Sequence, residues 1–161
     1  MNSACDDLHI RRARSAWDYE LLAQMDSIMF RPSDAFDREE FQRYRCWVIE
    51  INGEPVGSIA LAPHIDLNTH CDEVSQSQSL YIASTGIMPG RQRQGLGAIA
   101  KAFELGYARA HGFRKVVTMC RFHNTSILRL NARFGFQPRG SVPGIYDDPY
   151  DDAVIMELCF S

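Results

Sequence analysis

The sequence predicts an α+β, or mixed α/β, sheet covered by helices, and three observations carry that prediction. Two runs rich in β-branched and aromatic residues, Cys46 to Ile51 and Pro55 to Leu61, flank Asn52-Gly53, a pair that accepts the positive φ of a tight hairpin turn. Further on, strand-like and helix-like segments alternate from Leu80 to Phe160, the order expected of a sheet with helices laid over it. Finally, 161 residues, 45% hydrophobic and 23% charged, suffice for one domain around one core and lie far from the composition of a disordered chain.

In chain order, His9 to Ala13 reads as a short strand. Ser15 with Asp18 three residues later has the spacing of a capping box. Leu21, Leu22, Met25, Ile28 and Met29 then recur at the helical period and give one apolar face. Asp37 and Glu40 are placed to cap a second helix, after which the hairpin follows. Pro63 to Ser79 is polar, lacks periodicity and ends in Ser75-Gln76-Ser77-Gln78-Ser79, so it reads as an extended loop. Leu80 to Ile87 is a strand. Gly95 to Ala110 is a helix with Leu96, Ile99, Ala100, Phe103, Tyr107 and Ala110 on one face, ended by Gly112. Lys115 to Arg121 is the next strand, Ser126 to Phe134 a short helix stopped at Gly135, and Ala153 to Phe160 the closing strand. Gly140 to Asp152 reads as a loop, and no internal repeat is present.

A formal net charge of -3 gives no general attraction for a polyanion, and Arg91-Gln92-Arg93 is the sole basic cluster, so neither nucleic acid nor a membrane surface is an expected partner. Cys5, Cys46, Cys71, Cys120 and Cys159 are scattered, with no C-x-x-C pair, which fits reduced thiols in a cytoplasm. No apolar run reaches the roughly 18 residues of a membrane span, and the first residues lack the order of a signal peptide, so a cytoplasmic location is expected. His64, Asp66, His70 and Cys71 invite a metal reading, but their spacing fits no zinc pattern and no metal site is expected.

The chemistry concentrates at Gln92-Arg93-Gln94-Gly95-Leu96-Gly97, between a strand and an amphipathic helix. A helix start carries unpaired N–H groups and about half a positive charge, and glycines let the backbone approach a phosphate closely. A Walker loop is excluded, because Gly97 is followed by Ala98 and Ile99 rather than Lys and Ser or Thr. The dinucleotide fingerprint is excluded too: Gly90, Gly95 and Gly97 have the wrong intervals, and Lys115 to Cys120 carries no acid.

Gln92, Gly95 and Gly97 resemble the loop of the GCN5-related N-acetyltransferase (GNAT) family, which reads Gln or Arg, two residues, Gly, one residue, then Gly or Ala. Ile87-Met88-Pro89 is similar to that family's strand exit, and Asn124 followed by Arg133-Phe134-Gly135-Phe136 resembles its second motif. The resemblance covers His9 to Phe160. It implies a mostly antiparallel mixed sheet of six to seven strands flanked by about four helices, split between two central strands, Leu80 to Ile87 and Lys115 to Arg121. It implies acetyl-CoA as cofactor, with its pyrophosphate on the amides from Gln92 through Arg93, Gln94, Gly95, Leu96 and Gly97 to Ala98, and Arg91 and Arg93 adding charge. Its pantetheine arm would lie against backbone groups at Ile87 and Met88 and against Asn124. An amine acceptor would complete the reaction, and a homodimer is compatible with these motifs.

The same resemblance exposes a gap. The family often places a proton-donating tyrosine in the second motif helix, four residues before its glycine, and here that residue is Asn131. Tyr146, in the segment Gly144 to Pro149 that borders the acceptor pocket in similar proteins, is the first substitute. Tyr81, Ser84 and Cys120 follow as candidates, although nothing near Cys120 in sequence activates its thiol. His123 reads as a satisfied surface histidine. The expected activity is acetyl transfer to an amine of a small molecule or of a protein, by direct attack. An acyl-CoA-binding regulatory module without efficient catalysis is the alternative that Asn131 motivates, and a polypeptide-interaction domain without cofactor is a third reading.

Overall fold

Ser15 and Asp18 form the reciprocal cap that their spacing predicts. The Ser15 hydroxyl accepts from the Asp18 N–H at 3.1 Å, and the Asp18 carboxylate accepts from the Arg14 and Ser15 N–H groups at 2.9 and 3.0 Å. Arg11 adds an ion pair at 2.7 Å. Burial alone would raise the Asp18 carboxyl, but the backbone donations and the guanidinium outweigh it and hold it well below the ordinary carboxylate range.

This detail comes from a computed structural model, which describes residues 6–62 and 79–161. The predicted loop at Pro63 to Ser79, with His64, Asp66, His70 and Cys71, lies outside the described residues except for Ser79. The elements are β1 (Leu8–Arg12), α1 (Ala16–Met29), α2 (Arg38–Phe41), β2 (Arg45–Ile51), β3 (Glu54–Ala62), β4 (Ser79–Ile87), α3 (Leu96–Ala110), β5 (Lys115–Arg121), α4 (Thr125–Arg133), β6 (Gln137–Tyr146) and β7 (Asp151–Cys159). The strands form a 7-stranded sheet in the order β1-β2-β3-β4-β5-β7-β6. Among the described residues only β4 and β5 run parallel; the other neighbouring pairs are antiparallel. Among the described residues no helix is long and apolar enough to cross a membrane.

Strand alternation sends side chains to two separate layers. Cys46, Val48 and Ala60 pack against Leu22, Met25 and Phe41, so α1 and α2 cover one face. Trp47, Ile49, Ile59 and Leu61 pack with Leu96, Ala100 and Leu105, so α3 covers the other, and Ile127 and Leu128 bring α4 to the same side.

Two readings from sequence are corrected. The stretch from Gln137 to Tyr146, read as a loop from Gly140 onward, is the edge strand β6 paired to β7. Pro138, Gly140, Pro143 and Gly144 hide it from any β pattern, and an edge tolerates them because one side of its backbone needs no partner. The helix α3 is also rotated from its predicted face: Ile99 is 40% exposed and Ala110 is exposed, while Lys101 and Glu104 are buried.

Asp26 on α1 is fully buried, and its Oδ2 accepts the Phe36 N–H at 2.9 Å. Burial, with the charge of Glu40 added and the Phe36 N–H opposing, pushes its carboxyl up to about 7. A folded-state value above the ~3.9 of an open chain means that folding takes up a proton, so stability falls as pH rises from about 4 to about 7 and stays lower above that. Asp26→Asn keeps an acceptor for Phe36. It is expected to stabilise the fold by up to about 4 kcal/mol near pH 8 and by little near pH 4, as read from urea or thermal unfolding. An equal effect at both pH values would show that folding does not raise the pKa of this carboxyl.

Candidate active site

The parallel strands β4 and β5 pair from Ser79↔Lys115 to Ile82↔Thr118 and then part. The Thr118 hydroxyl donates to the Ile82 carbonyl at 3.3 Å and closes the last rung. Beyond it, β4 keeps β3 on one edge while its other edge faces a cleft. A bulge sits at the parting: Leu61 pairs with Ile82 but Ala60 with Ser84, which leaves Ala83 as the extra residue. The inserted residue reverses the alternation, so Ile82 and Thr85 both face the α3 layer while Ser84 and Gly86 face α1.

Parting the strands opens a passage of about 540 Å³ through the sheet. Phe30, Asp34 and Phe36 line it from the α1 and α2 side, and Lys101, Ile127 and Asn131 from the α3 and α4 side. A split sheet of this kind lets two ligands meet from opposite faces.

The loop that follows β4 turns through a short 3₁₀ segment, Pro89–Arg91, and delivers the chain to α3. Ile87 ends the strand, Met88 starts the turn, and the Gln92 side-chain amide donates back to the Ile87 carbonyl at 3.3 Å. Arg93 has φ 63 and Gly95 φ 81, both left-handed, and Gln94 between them is exposed. Gly95 is the N-cap, with no side chain capping the first turn of Leu96, Gly97 and Ala98. A Cβ added at Gly95 would meet nothing within 4 Å, and one at Gly97 would meet only Leu130 Cδ2 at 3.4 Å. Uncapped donors under open space suit an anion. Arg91 is engaged by Glu54 at 2.7 Å. Asn124 lines the passage and caps α4, accepting from Ile127 N–H at 3.4 Å.

Tyr146 is the last residue of β6, paired with Asp151, and not part of a loop; it lines the passage. The Arg121 guanidinium stacks on its ring at 4.4 Å, binds Asp34 through two contacts at 2.8 and 2.9 Å, and donates to the Pro149 carbonyl at 2.7 Å. This clamp ties the α1–α2 segment to the β6–β7 turn. Burial, reinforced by Cys120 and Asp34 against the opposing charge of Arg121, pushes the Tyr146 phenol up to about 12. Tyr81, Ser84 and Cys120 line the same passage. Burial raises the Tyr81 phenol beyond its ordinary value, and it pushes the Cys120 thiol up to about 11 although Lys101 and Asn131 act in the opposite sense. His123 lies outside the passage lining, 81% exposed, with Nδ1 2.9 Å from Asp151.

Sequence reasoning missed Lys101 and Glu104. Their signal was present in the spacing of Leu96, Ala100, Leu105 and Ala108, which places both residues inside the buried stripe.

The Acetyltransferase (GNAT) family model matches residues 14–136, and the chain belongs to that family. The family uses acetyl-CoA. The chain is similar in fold to the ribosomal-protein-S18-alanine N-acetyltransferase of Escherichia coli, at 17% identity and a TM-score of 0.79, covering 96% of this chain and 95% of that one. A putative phosphinothricin N-acetyltransferase superimposes with a TM-score of 0.76 at 21% identity, covering 96% and 99% of the two chains. A putative acetyltransferase from Salmonella typhimurium, solved with its cofactor acetyl-CoA, does so with a TM-score of 0.73 at 19% identity, covering 96% and 94%. A search of curated proteins finds no significant match.

Proposed function

We propose that the chain transfers the acetyl group of acetyl-CoA to a primary amine, of a small molecule or of a protein or peptide, within a ternary complex. The observation that carries this reading is the passage through the parted β4 and β5, which allows donor and acceptor to enter from opposite layers. The amides from Gln92 to Ala98 hold the pyrophosphate at the uncapped start of α3. The edge of β4 that β5 leaves free, leading to Ile87 and Met88, pairs with the amides of the pantetheine arm together with Asn124; there the incoming arm must compete with the Gln92 side chain for the Ile87 carbonyl, and the Met88 N–H is held by Val56. Acetyl-CoA supplies an activated thioester. The amine nitrogen bonds to the acyl carbon as the carbon–sulfur bond breaks, the nitrogen loses a proton to solvent, and Tyr146 delivers one to the sulfur. A phenol held protonated up to about 12 is in its acid form at every working pH.

Asn131, fully buried where similar proteins hold a tyrosine, favours a second reading, an acyl-CoA-binding regulatory module without efficient turnover. One experiment separates the readings: calorimetry with coenzyme A, then an amine panel with acetyl-CoA followed by thiol release. Micromolar binding and amine-dependent thiol release are expected. Binding without release from any amine would favour the regulatory module, and no heat at millimolar coenzyme A would sink both.

A further inference from the structure

Beneath the split lies a charged cluster that the reaction as written above does not use. Lys101 and Glu104, one helical turn apart on α3, are 2% and 0% exposed and form an ion pair at 3.0 Å. The Thr85 hydroxyl, on the part of β4 that has parted from β5, donates to the other carboxylate oxygen. A buried pair of charges is costly in an apolar layer and adds little to stability over well-packed apolar residues. Its placement is therefore informative, because Lys101 lines the passage.

The ammonium has three donors. Glu104 Oε2 lies at ion-pair distance without a hydrogen bond, and the Phe136 ring lies 5.3 Å away; among the described residues no side chain accepts a hydrogen bond from the ammonium. Asn131 is fully buried on the same passage, its amide nitrogen 3.7 Å from both Cys120 Sγ and Met156 Sδ, while its Oδ1 has no partner. Cys120 is a resident thiol at this spot, and the charge of Lys101 reaches it. The other ionisable groups on the passage offer no rival cation on this side. Arg121 is bound to Asp34 towards α1, with Glu40 and Asp147 also lining the passage, and Tyr81 and Tyr146 keep their protons.

We propose that Lys101, oriented by Glu104 and Thr85, is a catalytic residue that contacts the sulfur of the acyl donor and stabilises the negative charge left on it when the carbon–sulfur bond breaks, Asn131 lying beside it in place of a tyrosine. The proposal rests on the acetyltransferase reading. Lys101 lowers the free energy of the departing thiolate, and Tyr146 completes the step with its proton. A preorganised cation in a desolvated site acts where charge develops and needs no proton transfer of its own.

The test compares binding of coenzyme A with that of its analogue carrying hydrogen in place of the thiol, by calorimetry across the pH range in which the free thiol ionises. A stabilised thiolate makes the affinity of coenzyme A, relative to the analogue, rise by about tenfold as pH rises, since one unit of thiol pKa is a tenfold change in relative affinity. Lys101→Met is expected to abolish that rise and leave the analogue's affinity unchanged. Because this variant strands Glu104 without a counter-ion, Lys101→Met with Glu104→Gln is measured beside it; the glutamine keeps an acceptor for Thr85. Turnover of both variants should fall by about tenfold. A relative affinity independent of pH in the wild type, or a rise that survives in the double variant, overturns the role of Lys101 while leaving the cofactor site standing. Failure of both ligands to bind overturns the cofactor reading and this proposal with it.

Discussion

Gly97→Val is expected to weaken coenzyme A binding by at least about 100-fold, or about 2.7 kcal/mol, with the fold intact. The reason lies in what surrounds this glycine. It is the second residue of α3, in ordinary helical conformation, and an added Cβ meets only Leu130 Cδ2 at 3.4 Å. Valine is therefore accommodated in the protein alone, and its helix propensity is no worse than that of glycine. The added bulk sits in the first turn of α3, beside the uncapped amides where a phosphate would lie. Gly95→Val should lose binding as well, but for two mixed reasons, because φ 81 is a left-handed conformation that a β-branched residue adopts only at a cost. Calorimetry gives the affinity and circular dichroism melts give the fold. Normal affinity in the Gly97 variant would place the phosphates elsewhere.

Tyr146→Phe should lower turnover by at least about tenfold, and by as much as the ~100-fold to 10,000-fold typical of a positioned acid. Coenzyme A affinity should change little, because phenylalanine keeps the ring on which Arg121 stacks at 4.4 Å. The pH profile adds a second check. Burial, with Cys120 and Asp34, holds the phenol protonated up to about 12, so wild-type turnover should show no alkaline fall from this group below about pH 10. Wild-type turnover in the variant would leave Tyr146 as a packing residue against Arg121 and shift attention to Tyr81. The measurement is made at saturating acetyl-CoA once an amine acceptor is found.

Elements that obey one local rule were legible in the sequence. Ser15 with Asp18, Asn52 with Gly53, and Gly95 with Gly97 each fix their geometry through immediate neighbours, and the structure has the expected cap, hairpin and helix start. What escaped depends on distant partners. β6 is a strand because β7 lies beside it, not because Gln137-Pro138-Arg139-Gly140 prefers to be extended. Lys101 and Glu104 are absent from the predicted apolar face because charged residues are seldom buried, yet each is the other's counter-ion. The Arg121–Asp34 clamp joins residues that lie 87 positions apart, a separation that no local pattern encodes.

The seam between β4 and β5 divides the sheet into a leaf of four strands, β1 to β4, and a leaf of three, β5 to β7, bound edge to edge only from Ser79↔Lys115 to Ile82↔Thr118. Such a short spine leaves the shared core under α3 to hold most of the two leaves together. The leaves resist sliding, because a register slip would turn buried side chains outward, but nothing in the backbone ladder opposes a small change in the angle between them past Thr118. Thr85 with Glu104 fastens the outer part of the first leaf to α3, and Arg121 with Asp34 fastens the second leaf to the segment after α1. A molecule lying in the opening would touch both leaves at once, because residues of β4 and of β5 line it, and would therefore act mechanically as a clasp between two helical layers.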